Sequence, residues 1–242
     1  MKKIFHINGT TTPGGGPEHI FQLIKRLNQN EWEVVICTLK DGLYWEKFKS
    51  LNIKTYNLAL RIISLKTACK FFLILRKEKP DIIHTHGKGP GLYGRLIGSF
   101  LNIPVIHTFH GFHYQDIPFP TRWFHLAVET LLSLFTDHHI FVSTGEKNRA
   151  RVLKFLDEEN STVIHNGVDH EHIDSLSITR NKALKLSESE NWEKNKILGT
   201  IARLSPEKGI LCLLAAFSKA IKEIPDLRLI IIGGYPEEHN DY

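Results

Sequence analysis

Short apolar runs alternate with longer amphipathic segments along most of this chain, and that alternation constrains the fold more than any other feature. Runs such as Ile4–Ile7 and Ile82–Thr85 have the length and β-branched content of buried strands. Segments such as Glu18–Asn28 and Leu92–Leu101 have the length and spacing of helices. Strands and helices that alternate in this way are typical of a parallel sheet covered on both faces. The sequence therefore predicts a doubly wound, Rossmann-like α/β domain over residues 1–165.

The alternation stops after residue 165 and resumes further along the chain. Residues 166–195 are mostly polar and charged, which predicts a hinge or linker. Residues 196–242 then contain two predicted strands, Ile197–Ala202 and Leu227–Ile232, around a predicted helix, Glu207–Glu223. Two strands and one helix cannot bury both faces of a parallel sheet. We therefore expect the beginning of a second Rossmann-like domain, incomplete within this chain.

Composition and charge narrow the class of protein. The three cysteines are odd in number and widely spaced, which predicts no disulfide framework and fits a reducing cytoplasm. No run approaches the roughly 18 apolar residues that span a bilayer, so we expect a cytoplasmic protein. Residues 1–165 hold 21 Lys and Arg against 14 Asp and Glu, whereas the rest of the chain holds 10 against 12. A basic first domain indicates an anionic partner: a phosphate-bearing ligand, a membrane surface or a nucleic acid.

A glycine-rich loop lies between the first predicted strand and the first predicted helix. Gly14, Gly15 and Gly16 allow a ligand to approach the backbone closely, and the helix that follows offers unpaired N–H groups. The spacing matches neither the dinucleotide fingerprint G-x-G-x-x-G nor the P-loop. From the loop alone, a phosphate site and a tight turn that needs glycine for its geometry are both open.

Histidines cluster after two neighbouring predicted strands. His84 and His86 end one strand, and His107, His110 and His113 follow the next in His-Thr-Phe-His-Gly-Phe-His. Ligands of open α/β sheets bind beyond the carboxyl ends of the strands, where these rings are expected to gather. No acid or cysteine stands at ligand spacing beside them, so we expect no metal. Some of these histidines belong to the core, and His110 is the best candidate to bind substrate hydroxyls or phosphate.

Two cations flank the start of the predicted helix in the second domain. Arg203 follows a strand, and Lys208 lies in the segment Pro206-Glu207-Lys208 that opens the helix. A guanidinium and an ammonium together suit a diphosphate. Positive side chains at a helix N-terminus oppose the helix dipole, which favours a bound anion between them. A solvated surface pair is the alternative interpretation.

Taken together, these segments resemble the retaining glycosyltransferases of family 4, which have two facing Rossmann-like domains, the GT-B architecture. Four segments match in order and at similar separations: Pro13–Glu18, His107–Gly111, Val163–Asp169 and Ala202–Gly209. Two further segments, His84–Gly94 and Val142–Glu146, resemble bacterial members that build polysaccharides. The likeness covers nearly the whole chain.

The resemblance implies a function and roles for individual residues. Gly15 and Gly16 would lie under the diphosphate of a nucleotide-sugar donor, which Arg203 and Lys208 would clamp from the other domain. His110 would be catalytic, in contact with the transferred sugar or its phosphate. The enzyme would transfer a sugar with retention to a saccharide or lipid-linked acceptor in cell-surface polysaccharide synthesis, with no cofactor and no metal. The candidates on the acceptor side are His86, Lys88 and His113.

Family members carry a Glu-x7-Glu motif and a nucleotide-binding strand and helix further along the second domain, and this sequence reaches Tyr242 before either. We therefore expect the chain as given to transfer sugar poorly or not at all. A sensitive donor-hydrolysis assay checks this, and turnover near that of a full-length relative would contradict it. Two alternatives stay open: a non-catalytic remnant that binds an acceptor or partner, and a GT-B-type nucleotide-sugar epimerase, against which Arg203–Gly209 argues. Nucleic-acid binding fits least, because no known module surrounds the basic residues.

A basic segment next to apolar residues indicates contact with a membrane surface. The predicted helix Leu65–Lys77 places Leu65, Cys69, Phe72 and Leu75 or Arg76 near one stripe. Six cations lie in or beside the apolar segment Ile62–Leu75: Arg61, Lys66, Lys70, Arg76, Lys77 and Lys79. Another helix start carries Phe119, Trp123, Phe124 and Leu126. A basic helix with aromatic neighbours can lie among lipid headgroups, here at the inner face of the membrane. A solvated basic face over a buried stripe explains the first segment equally well.

Overall fold

The computed structural model describes residues 1–27, 30–111, 118–153, 159–175, 182–183, 185, 192 and 194–234. The chain divides into two compact units, Met1–Asp169 and His170–Tyr242, and each is described by itself. Among the described residues, no helix is both long enough and apolar enough to cross a bilayer.

The first unit is built on a seven-stranded sheet in which every neighbouring pair is parallel. Its strands are β1 (Lys2–Ile7), β2 (Trp32–Thr38), β3 (Lys54–Asn57), β4 (Ile82–His86), β5 (Val105–Phe109), β6 (His138–Phe141) and β7 (Ser161–Val163). The strand order is β3-β2-β1-β4-β5-β6-β7. The chain therefore runs outward from β1 in one direction and then returns to the other side of β1 with β4. This reversal is the topological switch point, beside which α/β sheets bind their ligands.

Among the described residues, six helices connect these strands: α1 (Gly15–Arg26), α2 (Tyr44–Ser50), α3 (Leu65–Glu78), α4 (Lys88–Phe100), α5 (Thr121–Ser133) and α6 (Thr144–Val152). Two of them begin at a serine cap, as the sequence favours. The Ser64 side chain accepts a hydrogen bond from the Thr67 amide, and the Ser143 side chain accepts one from the Glu146 amide. These helices hold both faces of the sheet away from water.

Alternate residues of β1 enter two separate cores. Phe5 and Ile7 pack on one face with Phe71 and Leu75 of α3. Ile4 packs on the opposite face with residues of α1, α2 and β2: Ile20, Ile24, Val34, Ile36, Tyr44 and Phe48. Burial on both faces explains why the central strands read as continuous apolar runs.

The predicted stripe of α3 is right at Leu75 and wrong at Leu65 and Cys69. Phe71 and Leu75 are its fully buried apolar residues, whereas Leu65 is 84% exposed and Cys69 is exposed as well. The helix begins at Leu65 directly after its Ser64 cap, and this start turns Phe71 and Leu75 toward the sheet. The spacing of apolar residues does not show whether Phe71 or Phe72 faces the sheet. Packing against the sheet decides this.

In the second unit, the described residues include the parallel strands β8 (Lys196–Ile201) and β9 (Leu227–Ile232) and the helices α7 (His170–Ser175) and α8 (Ile210–Glu223). The predicted helix start at Glu207 is wrong. Pro206–Lys208 forms a separate 3-10 turn, and Gly209 then takes a left-handed φ of 64° before α8 begins. Because that backbone conformation interrupts the helix, Lys208 lies in the turn before α8. The predicted fold class is nevertheless confirmed. The boundaries and roles assigned to the domains stay predictions.

Candidate functional site

The glycine loop opens directly into α1. Gly14 precedes the helix with an extended backbone, φ 173°, and Gly15 and Gly16 are the first two helical residues. A Cβ atom at Gly15 would meet nothing within 4 Å, and one at Gly16 would lie 3.8 Å from the His110 ring. Neither residue is among those with positive φ. Within the described part of the chain, therefore, neither turn geometry nor packing requires glycine at these two positions, which weighs against the tight-turn interpretation.

Asp41 fixes the loop that leads into this helix. Its carboxylate accepts hydrogen bonds from the Thr11 amide at 2.6 Å and from the Thr10 hydroxyl at 2.7 Å. Burial raises the pKa of Asp41, but the hydrogen bonds from Thr11 and Thr10 outweigh it and hold the pKa below its ordinary value. The carboxylate is therefore charged at neutral pH and anchors the loop.

Five imidazoles gather where β1 and β4 meet the start of α1. His6 of β1 pairs in register with His84 of β4. The His6 Nδ1 and His86 Nε2 atoms are 3.3 Å apart, and His86 Nδ1 is 3.0 Å from His110 Nε2. The ring of His19, from α1, lies edge-on to that of His110, with centroids 5.0 Å apart. The predicted convergence of histidines thus occurs at the switch point.

The histidine cluster is neutral at physiological pH. Burial lowers the pKa of His6 to about 3 and that of His110 to about 4, and the neighbouring His19 adds to both shifts. Burial also holds the pKa values of His84 and His86 well below their ordinary range. Neutral imidazoles each present one N–H donor and one lone pair, so the cluster can bind hydroxyl or phosphate oxygens without carrying charge.

These lowered pKa values predict that the folded first unit loses stability as the pH falls. His6 and His110 stay neutral in the folded protein, whereas both take up protons below about pH 6.5 in the unfolded chain. Their stabilising effect is therefore complete above pH 6.5 and declines toward pH 4, by about 1.4 kcal/mol per pH unit for each such group. Urea unfolding at pH 7.5, 6.5 and 5.5 measures the slope. Stability that does not change between pH 6.5 and 5.5 would contradict the prediction.

A cavity of about 460 Å³ opens beside the cluster at the carboxyl ends of β1 and β4. Two cations line it, Arg61 and Lys88, together with neutral groups that include Asn8, Thr10, Thr12 and His86. Lys88 is the first residue of α4, and Gly87 before it has a φ of 80°. No acidic side chain is among the described residues that line the cavity. The charge of its lining is therefore positive, which suits an anionic ligand.

In the second unit, Arg203 and Lys208 belong to one connection, between β8 and α8. The Leu204 amide donates a hydrogen bond to the Gly234 carbonyl, and a Cβ atom at Gly233 would lie 1.8 Å from the Ala202 carbonyl oxygen. The hydrogen bond ties the segment to the end of β9, and the backbones of Ala202 and Gly233 come too close for a side chain at Gly233. Arg203 and Lys208 are exposed at this carboxyl edge.

The structure brings some of the predicted site residues together. Gly16 lies beside His110, which contacts His86, and Lys88 lines the cavity next to His86. The role of each residue, and the pairing of this group with the second unit's cations, stay predictions. His113 lies outside the described residues. Sequence analysis did not assign His6, His19 or Arg61 to this site, although it named Arg61 among the cations near α3. For His6, its place at the carboxyl end of the first strand was an available signal.

Two groups of three histidines place possible ligand atoms within 4.8 Å of one another: His6, His84 and His86, and then His19, His86 and His110. These groups differ from the His107, His110 and His113 spacing considered from sequence. Histidine nitrogens alone would suit zinc or another transition metal. The expectation that the site uses no metal therefore stays a prediction.

Residues 13–172, more than half of the chain, match the model of Glycosyltransferase Family 4. The chain belongs to that family, as its resemblance from sequence indicated. Two relatives are a galactosyltransferase of Escherichia coli, UDP-Gal:alpha-D-GlcNAc-diphosphoundecaprenol alpha-1,3-galactosyltransferase, and the capsular polysaccharide biosynthesis glycosyltransferase CapM of Staphylococcus aureus. The first is 27% identical over 71% of this chain and 45% of its own length, and the second 24% identical over 73% and 47%. The chain thus spans less than half the length of these relatives.

Solved structures share the fold. Anabaena HepE in complex with UDP and glucose superposes with a TM-score of 0.81 at 20% identity, over 100% of this chain and 64% of that one. Sucrose-phosphate synthase from Thermosynechococcus elongatus gives a TM-score of 0.73 at 20% identity, again over 100% of this chain and 64% of the other.

Proposed function

We propose that this chain supplies the acceptor-side domain and the beginning of the donor-side domain of a retaining glycosyltransferase. The reaction transfers a sugar from a nucleotide-diphosphate sugar to a saccharide or lipid-linked acceptor in cell-surface polysaccharide synthesis. The observation that carries the proposal is the start of α1 on Gly15 and Gly16, beside His110, where the protein's own packing does not call for glycine. Family membership favours transfer over epimerisation.

The proposed catalysis depends on stabilising the negative charge that develops on the leaving group. As the bond to the sugar breaks, negative charge builds on the departing diphosphate oxygen. The free N–H groups at the start of α1 and the positive end of its dipole stabilise that charge without reorganising. By the family resemblance, Arg203 and Lys208 bind the donor diphosphate, and His110 binds the sugar or its phosphate. Most of the rate enhancement then comes from orientation and electrostatics, with no metal required.

The cavity beside β4 supports a phosphate-bearing acceptor. Arg61 and Lys88 supply positive charge, and the start of α4 adds its N–H groups and dipole. The E. coli relative acts, by its name, on a sugar linked to diphosphoundecaprenol. A lipid-linked diphosphate has the charge that this cavity suits.

Replacing both Gly15 and Gly16 with alanine should change helix stability and ligand affinity in opposite directions. Each alanine should stabilise α1 by about 0.5–1 kcal/mol, because glycine is the poorer helix former. Binding of UDP-glucose or inorganic pyrophosphate should weaken by about tenfold, since two methyl groups then stand where the diphosphate approaches. Thermal unfolding and isothermal titration calorimetry measure the two effects. Gly145→Ala, in the first turn of α6, is the matched control that leaves binding unchanged. Unaltered affinity in the double variant would contradict the proposal.

Exposed apolar residues support peripheral contact with an anionic membrane surface. Ile62, Ile63 and Leu65 are 70%, 80% and 84% exposed where α3 begins, and Lys66 and Lys70 follow on the same helix. Phe119, Trp123 and Phe124 are exposed where α5 begins. Leu126, grouped with them from sequence, is instead buried in the core. Apolar side chains next to lysines suit an interface between headgroups and acyl chains.

Membrane contact predicts selective flotation. The chain should float with vesicles that contain anionic phospholipid and stay behind with purely zwitterionic vesicles, because the lysines add electrostatic attraction to apolar insertion. Ile63→Ser with Leu65→Ser should abolish flotation, and Leu198→Ser, at an exposed leucine of the second unit, is the control. Equal recovery of the chain with anionic and zwitterionic vesicles would contradict contact with an anionic membrane surface.

A further inference from the structure

We propose that His19, His86 and His110 form a binding site for a transition-metal ion such as Zn²⁺. The site goes beyond the proposed function, because sugar transfer is proposed to need no metal. It also departs from the expectation, drawn from the sequence, that the histidines bind no metal. That expectation considered ligand spacing along the chain, whereas these three side chains come from separate elements: helix α1, strand β4 and the loop after β5.

The geometry of the three rings fits an ion held by imidazole nitrogens. One ring nitrogen from each histidine lies within 4.8 Å of the other two. The facing nitrogens His86 Nδ1 and His110 Nε2 are 3.0 Å apart. Zinc–nitrogen bonds of about 2.0–2.1 Å place the ligands of a tetrahedral site about 3.3 Å from one another. The widest gap in the group therefore has to close by about 1.5 Å at most, and two side chains share that movement.

The ligand chemistry selects the class of metal. Imidazole nitrogens suit Zn²⁺, Ni²⁺ and Cu²⁺, whereas Mg²⁺ and Ca²⁺ prefer oxygen ligands. The three rings are neutral at physiological pH, because burial lowers the pKa of each, so every ring keeps a lone pair on one nitrogen. The ion replaces the hydrogen bond between His86 and His110, and each ring then carries its proton on its other nitrogen.

Neighbouring side chains can orient two of the ligands. His86 Nε2, the nitrogen that does not face His110, lies 3.3 Å from His6 Nδ1, which can accept a hydrogen bond from it. His19 hydrogen-bonds to Asn166. Outer partners of this kind fix the ring orientation of metal-binding histidines.

Accessibility favours this group over the other group of three histidines. His6, His84 and His86 also bring ligand atoms within 4.8 Å, but they are only 0%, 5% and 1% exposed. A dication among three buried neutral rings would lose its water, and the cost of that desolvation is high. His19 and His110 are half-buried, so an ion between them can keep a water or an anion as its fourth ligand, as in other three-histidine zinc sites.

Titration of the chain without an affinity tag tests the site. Isothermal titration calorimetry should show one Zn²⁺ bound per chain. Co²⁺ should give the visible absorption of tetrahedral coordination, which Zn²⁺ then displaces, and Mg²⁺ should give no signal. His19→Ala removes one of the three ligands and should weaken Zn²⁺ binding at least about tenfold. His138→Gln, at an exposed histidine of β6, is the control that leaves binding unchanged.

His84→Gln separates the two groups of histidines, because His84 belongs only to the buried one. This variant should bind Zn²⁺ like the unaltered chain, and circular dichroism checks that each variant is folded. Loss of binding in a folded His84→Gln variant would overturn the proposal.

Three further outcomes would overturn it: an unaltered chain that binds neither Zn²⁺ nor Co²⁺, a folded His19→Ala variant that binds Zn²⁺ as tightly as the unaltered chain, or an equal loss of affinity in His138→Gln. The first of these needs no variant, so the proposal is tested even if a substitution prevents folding. The titrations use no sugar nucleotide, and their result is therefore independent of the alanine test of Gly15 and Gly16.

Discussion

Replacing Glu129 with leucine should lower the free energy of unfolding of the first unit by about 3–5 kcal/mol. Arg95 of α4 is fully buried, and its Nη1 atom donates to Glu129 Oε2 of α5 at 2.8 Å. Its Nε atom donates to the Gly91 carbonyl. Without the carboxylate, a guanidinium charge remains in the interior with one backbone acceptor, and desolvation of that charge is not compensated. Urea unfolding followed by circular dichroism measures the loss.

The paired variant Arg95→Met with Glu129→Leu separates the charge effect from packing. Both charges then disappear together, and most of the lost stability should return, because apolar side chains of similar volume replace a buried ion pair at little cost. A double variant as unstable as Glu129→Leu would mean that lost packing, and not the unpaired charge, causes the effect.

Replacing both Arg203 and Lys208 with alanine should weaken the binding of UDP-glucose or pyrophosphate at least about 100-fold. Each side chain is proposed to make a charge-assisted hydrogen bond to the diphosphate, and such bonds contribute about 1.5–3 kcal/mol each. Calorimetric titration measures the change in affinity. Neither side chain is part of a buried core, so the fold should be unaffected.

The matched control removes the same charge elsewhere in the second unit. Lys219 and Lys222 are exposed near the end of α8, away from its connection to β8. If Lys219→Ala with Lys222→Ala weakens binding as much as the first pair, the effect is general electrostatics and the assignment to Arg203 and Lys208 is wrong.

Strands were predictable because their chemistry is local. The apolar runs Ile4–Ile7 and Ile82–Thr85 located β1 and β4 to within two residues at either end, and parallel topology placed the carboxyl ends of the strands at one edge. The gathering of His84, His86 and His110 followed from that edge alone. Which rings touch could not be predicted, because contact depends on register. His6 meets the cluster only because it pairs with His84.

Other features depended on tertiary packing. Arg95 and Glu129 lie on amphipathic helices, where charged side chains usually face water, yet both are buried because α4 and α5 meet there. The sequence predicted that α8 begins in the segment Pro206-Glu207-Lys208, because proline is favoured in the first turn of a helix. The helix instead begins after Gly209, because the left-handed backbone of that residue interrupts it.

The central proposal is that Gly15 and Gly16, in the first turn of α1, and Arg203 and Lys208 bind the diphosphate of a nucleotide-sugar donor. An NMR titration of the ¹⁵N-labelled chain with UDP-glucose tests it most directly, through the amide signals of Gly15 and Gly16 and the side-chain Nε signal of Arg203. We predict that all three move along one saturation curve and reach their end points together. Signals of Gly15 and Gly16 that stay still while Arg203 responds would contradict the account.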